Sequence, residues 1–213
     1  TEGRLRVRSQ ESLIRELISK AGWSQAYAPG YEADDALATL AKKFEAEERT
    51  VVIYSGDQDM HQCVSERVHV ISGSKGEDTV WTPEKVEEKW GLPPSRVVEA
   101  KALMGDPGDN IPGIEGLGIS WAAKILADAS LDKVQRRAEI GLSGYHNGKL
   151  WKSPNLSRKI LEGWGQIQRS YVLSKVVTDC ELATSKENGD REALKDLLEC
   201  YQINSMTTES GLD

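Results

Sequence analysis

Residues 30–59 constrain the fold of this chain more than any other stretch, because a helical pattern, a strand pattern and clustered acids follow one another there. Small and apolar residues predict a helix that begins near Glu32, and β-branched residues predict a strand at 50–54. The extended residues 23–28 precede the helix, so we predict a parallel strand–helix–strand unit. Acids stand at the start of the helix and just after the strand: Glu32, Asp34, Asp35, Asp57 and Asp59. An α/β fold gathers these two places at one edge of its sheet.

A third acidic pair lies in the stretch richest in glycine and proline, residues 105–118, where Asp106 and Asp109 flank Pro107 and Gly108. Each acidic set alone has a simpler explanation. Acids in the first turn of a helix complement its dipole, and aspartates beside a strand or a proline form turns and caps. All three sets nevertheless stand at the ends of elements that an α/β fold brings together, which favours a shared site.

The acids of such a site would need a cation. Crowded carboxylates repel one another and raise one another's pKa values unless positive charge is present. Ligands that are all oxygen favour Mg²⁺ or Mn²⁺ over zinc. We therefore predict a site for hard divalent cations. His61 and His69 are near it in sequence but match no ligand pattern, so we expect both at the surface.

Gly116, Leu117 and Gly118 lead directly into a helix of small residues. This pattern predicts a hairpin whose backbone N–H groups remain open, an arrangement that suits a phosphate group. Most of the tryptophans occupy helix-like apolar positions and are expected in the core. Trp121 is the exception, because it follows the hairpin directly.

Charge and composition limit the classes of function. The formal net charge of −7 argues against a nucleic-acid partner, but this inference weakens if cations neutralise the clustered acids. The three cysteines are far apart and have no metal-finger spacing, so a reduced, cytoplasmic setting is expected. No apolar run approaches the roughly 20 residues that span a bilayer, so no membrane partner is expected.

The remaining patterns predict mostly helices. Thr82, Pro83 and Glu84 place a cap, a proline and an acid at a helix start, and this helix should end at Gly91. We expect residues 141–155 to form a loop. Further predicted elements are a short helix at 59–64, a strand at 68–71, and helices at 94–104, 128–140, 156–177 and 190–201.

Four motifs together resemble, in order and spacing, those of the bacterial and phage 5′-nucleases. This family comprises flap endonucleases and 5′→3′ exonucleases, including the N-terminal domain of bacterial DNA polymerase I. The motifs are residues 32–35 (EADD), 57–59 (DQD), 105–113 (GDPGDNIPG) and 116–118 (GLG). The resemblance covers about residues 9–177. It implies an α/β fold, a PIN-like parallel-sheet core with a helix-three-turn-helix element of the helix-hairpin-helix type.

The resemblance also implies different roles for two parts of the chain. We expect residues 1–101 to form the metal-binding core. Residues 102–213 would hold the helix-hairpin-helix element and the C-terminal helices, packed as one unit with the core. The activity implied is hydrolysis of DNA phosphodiesters at 5′ ends, flaps or single-strand/duplex junctions, assisted by two or more Mg²⁺ or Mn²⁺ ions.

Site residues carry over from the family by position. One metal would be served, directly or through water, by Glu32, Asp34 and Asp35. The second would be served by Asp57, Asp59, Asp106 and Asp109. Contacts to DNA phosphates, which position DNA without reading its sequence, would come from Gly113, Gly116, Gly118, Ser120 and Lys124. Family members often bind K⁺ at this hairpin. The implied setting is a monomer in a bacterial or phage-infected cell, with a DNA polymerase as a candidate partner.

Two departures from the family pattern matter. The family begins with a strand that bears an aspartate and then a basic arch, whereas this chain starts after that region. Arg4, Arg6 and Arg8 are a candidate remnant, and both a fragment and a short family member fit this start. After the hairpin the family commonly has a Lys-Thr pair, where this chain has Ser120 and Trp121, although Lys124 remains close.

Two other functions remain open on the sequence. Because the first acidic strand and the arch are absent, the chain could bind DNA junctions with little catalysis. A phosphatase of the haloacid dehalogenase type would use Asp57 and Asp59 after a strand and Asp106 later. Against it, Met60 and His61 stand where that chemistry expects a threonine or valine, and the hairpin would have no role.

Overall fold

The part of the chain that the computed structural model describes comprises residues 9–74, 77–146 and 149–203. The chain divides into two compact units, residues 1–33 with 181–213 and residues 34–180. The three arginines considered above, Arg4, Arg6 and Arg8, lie outside the described residues. The predicted division between residues 101 and 102 falls inside the larger unit and stays a prediction.

The elements follow one another along the described chain as helices interrupted by short strands. They are α1 (Glu11–Lys20), β1 (Gln25–Tyr27), α2 (Ala33–Ala46), β2 (Val51–Tyr54), a 3₁₀ helix (Gln58–Cys63), β3 (Val68–Ser74), β4 (Glu77–Trp81), α3 (Pro83–Trp90), a 3₁₀ turn (Pro94–Arg96), α4 (Val97–Met104), α5 (Ile119–Leu126), α6 (Leu131–Glu139), β5 (Leu142–His146), β6 (Lys149–Lys152), α7 (Pro154–Glu162), α8 (Trp164–Ser174), β7 (Ala183–Ser185) and α9 (Arg191–Cys200).

The smaller unit joins α1 and α9 beside a two-stranded antiparallel sheet. Strand β1 pairs with β7, and Ala26 lies opposite Thr184. The carboxylate of Asp190 caps α9 by accepting a hydrogen bond from the Ala193 N–H at 3.0 Å. The predicted parallel pairing of residues 23–28 with 50–54 is therefore wrong. A strand of three residues carries too little pattern to specify its partner.

The larger unit contains the sheet of the predicted α/β core. Its strand order is β2-β3-β4, with β2 and β3 parallel and β3 and β4 antiparallel. Only one of the two described pairings is therefore parallel. The 3₁₀ helix makes the connection between β2 and β3, and it was predicted as a short helix at 59–64.

Buried apolar side chains join this sheet to the helices that follow it. Met60, Val70, Val86, Trp90 and Leu103 are almost completely buried in one cluster. Helix α3 begins and ends as predicted, because the Thr82 hydroxyl caps its first turn and Gly91 takes a left-handed conformation at its end. None of the helices in the described ranges is both long and apolar enough to cross a membrane.

Two predictions for the C-terminal half are wrong. The predicted loop 141–155 contains the antiparallel hairpin of β5 and β6. The predicted long helix 156–177 is two helices, α7 and α8, separated at Gly163. A glycine lowers helix propensity by about 1 kcal/mol, enough to favour a break where packing demands a change of direction.

Gly113 lies where two segments of backbone pass very close to each other. A Cβ atom at this position would collide with the Met104 carbonyl group and the Gly105 N–H. Replacing Gly113 by Ala should therefore lower the free energy of unfolding by at least about 2 kcal/mol, measured by urea denaturation. Gly116 is the matched control, because its φ is +78° but a Cβ there would meet nothing within 4 Å. Gly116→Ala should cost only about 1 kcal/mol of backbone strain. Equal stability of the two variants would contradict the prediction.

Candidate metal centre and hairpin

The 3₁₀ helix after β2 sets the position of the strand-end acids. Asp57 precedes it, and its Oδ1 accepts a hydrogen bond from the Asp59 N–H at 2.8 Å. This cap uses the Asp57 carboxylate locally and directs the chain so that Asp59 is half-buried on the next turn. Gln62 donates to the Ser174 carbonyl at 2.7 Å, and its Nε2 also lies 3.4 Å from Asp59 Oδ1.

The loop after α4 closes on itself. The Asp106 N–H donates to the Ile111 carbonyl and the Ile111 N–H donates to the Asp106 carbonyl, both at 2.8 Å. Asp106 Oδ1 also accepts a hydrogen bond from the Gly108 N–H at 2.9 Å. Gly105 begins the loop with a φ of +75°, which a glycine adopts readily. The closed loop fixes where Asp106 and Asp109 stand.

These two segments bring three of the predicted acids together. Asp59, Asp106 and Asp109 each offer a carboxylate oxygen, and the three oxygens lie within 4.8 Å of one another. The sequence prediction that acids after a strand and acids in the Gly/Pro-rich loop converge is consistent with this arrangement.

Lys101 lies at the centre of this cluster and was not predicted from the sequence. Its side chain is 5% exposed, and its Nζ lies 2.7 Å from Asp106 Oδ2 and also pairs with Asp59 Oδ1. Helix α4 is mostly apolar. Its charged side chains are Glu99 and Lys101. The burial of Lys101 depends on tertiary packing, so the local sequence pattern carries no signal for its role.

The pKa values of the cluster follow from burial and from Lys101. Burial raises the pKa of Asp59 above its ordinary value, although the hydrogen bond and charge of Lys101 act against this. Burial also acts to raise the pKa of Asp106, but the hydrogen bond and charge of Lys101 outweigh it and lower this pKa. For Lys101, burial acts to lower the pKa, and its two carboxylate partners reverse this and raise it. Lys101 therefore stays charged.

The acids at the start of α2 do not join the three-oxygen group formed by the described residues. Asp35 Oδ1 accepts a hydrogen bond from the Val177 N–H at 2.8 Å. Burial, followed by the charges of Asp34 and Asp59, raises the pKa of the Cys63 thiol to about 12, so Asp34 lies near Cys63. Glu32 belongs to the smaller unit and stands just before α2.

The donor set fits a hard divalent cation. Asp59, Asp106 and Asp109 supply only carboxylate oxygens, the ligands that Mg²⁺ and Mn²⁺ prefer. Lys101 contributes one positive charge to three carboxylates, which leaves the cluster with an excess of negative charge. A cation would reduce the remaining repulsion.

His61 anchors the 3₁₀ helix in the core, and the expectation that it lies at the surface is wrong. Its side chain is nearly completely buried. Its Nδ1 accepts a hydrogen bond from Trp90 Nε1 at 2.9 Å, and its ring packs against Trp81 at 4.3 Å between centroids. The helical period of a six-residue 3₁₀ helix is too short to reveal which face is buried.

Burial of His61 should make stability depend on pH. Burial, then the charges of Lys89 and Lys101, lower the pKa of His61 from 6.5 to about 4. His61 therefore takes up a proton below about pH 6.5 in the unfolded chain, but only below about pH 4 in the folded chain. This contribution to stability is complete above pH 6.5 and is lost as the pH falls to about 4, up to roughly 3 kcal/mol in all.

The measurement compares the free energy of unfolding of the wild type and His61→Asn at about pH 7.5 and about pH 5, on either side of the unperturbed histidine pKa. Asparagine retains an oxygen that can accept from Trp90 but does not titrate. Its stability should fall less between the two pH values than that of the wild type. The same fall in both proteins would assign the pH dependence to other groups.

The predicted hairpin is present between α4 and α5. Gly116 has a φ of +78°, and the Leu117 N–H donates to the Ile114 carbonyl at 3.0 Å. Gly118 precedes α5 and makes no side-chain cap. Ser120 and Lys124 lie on α5, and the Lys124 ammonium stands 5.1 Å from the centroid of the Trp121 ring.

The sequence of this chain matches two protein-family models. Residues 4–91 match the model of the 5′-3′ exonuclease, N-terminal resolvase-like domain, and residues 92–196 match the 5′-3′ exonuclease, C-terminal SAM fold. A thermostable DNA polymerase I of Thermus thermophilus is 39% identical over 207 residues, which are 95% of this chain and 23% of that protein. The chain thus spans about a quarter of this relative's length. A 5′-3′ exonuclease of Aquifex aeolicus is 33% identical over 220 residues, covering 95% of this chain and 67% of that protein.

Two solved structures share the fold at low sequence identity. The T5 D15 protein co-crystallized with metal ions has a TM-score of 0.64 and 21% identity, and covers 93% of this chain and 72% of its own. The catalytic core of Rad2 in complex with DNA substrate has a TM-score of 0.59 and 17% identity, and covers 90% and 64% respectively. These matches support the predicted PIN-like core followed by a helical domain.

Proposed function

Because this chain belongs to the 5′–3′ exonuclease family, we propose that it hydrolyses DNA phosphodiesters as a metal-dependent 5′-nuclease. The observation that carries this proposal is the convergence of Asp59, Asp106 and Asp109 in one group of oxygens. That group is joined to the hairpin at residues 113–118 by a short stretch of chain. The T5 D15 protein was co-crystallized with metal ions, and the Rad2 structure contains a DNA substrate, which supports the same pairing of functions here.

The carboxylates would hold two cations, Mg²⁺ or Mn²⁺. The proposed ligands of one are Asp57, Asp59, Asp106 and Asp109. The proposed ligands of the other, directly or through water, are Glu32, Asp34 and Asp35. When bound, such cations lower the pKa of a water molecule and neutralise charge on a phosphate. Lys101 keeps Asp59 and Asp106 side by side through its two ion pairs.

The proposed substrate is DNA with a 5′ end, a flap or a single-strand/duplex junction. The hairpin would contact phosphates through Gly113, Gly116, Gly118, Ser120 and Lys124, with K⁺ as a further ion. Several relatives are DNA polymerases of which this chain matches only a part, so a polymerase is the proposed partner. A monomer in the cytoplasm of a bacterial or phage-infected cell is the proposed setting.

The test is cleavage of a 5′-flap DNA labelled at its 5′ end. The protein with millimolar Mg²⁺ or Mn²⁺ should release labelled products, and a chelator should stop the reaction. DNA affinity should fall steeply with salt, because phosphate binding releases counterions. Unchanged cleavage in excess chelator would contradict metal dependence, and absence of cleavage with both metals would contradict the nuclease assignment.

A DNA-junction-binding module with weak catalysis is the second candidate. It is favoured by one observation, that Asp34, Asp35 and Asp57 do not join the three-oxygen group of the described residues. Tight junction binding without cleavage would select it. The phosphatase alternative gains no support, because residues 4–196 match the exonuclease domains.

A further inference from the structure

Trp121 occupies an unusual position for a large aromatic side chain. It lies in the first turn of α5, where its backbone N–H donates to the Gly118 carbonyl at 3.0 Å. Its side chain is 46% exposed, whereas Trp90 is 1% exposed. An indole in the core contributes by burying its surface, and one that is half in water contributes little of that kind. Its place beside the hairpin therefore needs a different explanation.

A shallow groove adjoins the exposed indole. Its volume is about 240 Å³, and its walls come from the hairpin, from Trp121 and from the start of α7. Ile114 and Leu117 of the hairpin are buried beneath it, so its base is held by the core. A space of this size can hold one planar ring system.

One lysine stands over the indole, and another lines the groove. The Lys124 ammonium stands over the Trp121 ring at 5.1 Å from its centroid. Lys159, from α7, lines the groove and donates to the Glu115 carbonyl at 3.1 Å. The carboxylate of Glu115 is the acidic group on the same wall. An exposed aromatic ring with lysines close by is the combination that binds single strands, since bases stack on the ring and ammonium groups meet phosphates.

We propose that Trp121, with Lys124 and Lys159, forms a subsite for one unpaired nucleotide of the DNA. This inference rests on the proposed function and adds a preference to it. A base inside a duplex already has both faces covered by its neighbours, so an indole gains most from a base whose face is open. The subsite therefore favours a nucleotide at a single-strand/duplex junction over continuous duplex. The subsite also supplies a DNA contact at the position where the family commonly has a Lys-Thr pair and this chain has Ser120 and Trp121.

The experiment measures binding of two DNA molecules of equal length in a metal-free buffer, by fluorescence anisotropy. One carries a single-strand/duplex junction, and the other is a dumbbell duplex closed at both ends. Trp121→Ala should weaken junction binding by roughly five- to a hundredfold, because stacking on one aromatic ring has that effect per base. It should change dumbbell binding by less than about twofold. Trp121→Phe, which retains an aromatic face, should recover most of the loss.

Two further variants separate the contributions. Lys124→Ala should reduce the slope of log affinity against log salt by about one, whereas Trp121→Ala should leave the slope unchanged. Trp23 is the matched control, because it is 71% exposed and belongs to the smaller unit. Trp23→Ala should bind both DNA molecules like the wild type.

The outcomes distinguish the subsite from the nuclease assignment. If Trp121→Ala weakens the binding of both DNA molecules equally, the ring contacts the sugar–phosphate backbone. This result would overturn the preference for an unpaired base. If Trp121→Ala binds both DNA molecules as tightly as a wild type that binds and cleaves DNA, the subsite alone would be overturned. A wild type that binds neither DNA would overturn the proposed function and the subsite together.

Discussion

Replacing Asp106 by Asn should reduce metal-dependent DNA cleavage by roughly a thousandfold, because a lost carboxylate ligand removes several kcal/mol of transition-state stabilisation. The fold should survive the change. The introduced asparagine retains an oxygen that can accept from the Gly108 N–H, and Lys101 keeps Asp59 as its partner. DNA affinity should stay nearly unchanged, since the hairpin is not altered. The measurement is single-turnover cleavage of the 5′-flap DNA beside equilibrium binding.

Asp128 provides the matched control for this variant. Its carboxylate pairs with the Arg137 guanidinium through two contacts of 2.6 and 2.7 Å, outside the cluster of acids. Asp128→Asn therefore removes one charge and the ion pairs with Arg137 and Lys133 but no proposed metal ligand. It should cleave like the wild type. Cleavage by Asp106→Asn within about tenfold of Asp128→Asn, a loss below about 1.4 kcal/mol, would remove Asp106 from the metal site.

Replacing Lys101 by Met should lower the free energy of unfolding by about 3 to 5 kcal/mol in a metal-free buffer, because two close carboxylates then lose their buried positive partner. Methionine fills a similar volume, so packing of α4 should change little. A divalent cation would supply the missing charge. The rise in melting temperature on adding Mg²⁺ or Mn²⁺ should therefore be larger for Lys101→Met than for the wild type.

Lys133 is the control for Lys101. Its ammonium lies 3.9 Å from Asp128, but its side chain is 54% exposed. Ion pairs of that kind contribute less than about 1 kcal/mol, so Lys133→Met should leave both the stability and its response to metal near the wild-type values. If Lys101→Met is as stable as Lys133→Met without metal, then Lys101 does not neutralise the cluster.

Local sequence patterns indicated where Asp59, Asp106 and Asp109 stand, but not which side chains surround them. Asp59 follows a strand, and Asp106 and Asp109 lie in a Gly/Pro loop, so local patterns placed each at the end of an element. Lys101 and His61 could not be found this way. Whether a charged side chain is buried depends on tertiary packing, and a lone lysine or histidine in a short helix has the same local pattern whether it faces the core or water.

The same distinction applies to the fold. Helix α3 was predicted because Thr82, Pro83 and Gly91 mark its ends by local chemistry. The partner of β1 was predicted wrongly, since β7 is distant in the chain and a three-residue strand does not encode its neighbour. Strands β5 and β6 fall in the predicted loop 141–155, because polar residues in them hide the alternation of a strand.

The close backbone approach at Gly113 holds the hairpin against the end of α4. The Ile114 N–H donates to the Leu103 carbonyl at 2.8 Å, and Ser170 Oγ donates to the Pro112 carbonyl at 2.9 Å, so the start of the hairpin is tied to α4 and α8. In the proposed nuclease, a DNA strand bound at the hairpin would therefore reach the carboxylates at a fixed distance along its length. The lengths of the cleavage products should then depend on this distance and not on the DNA sequence.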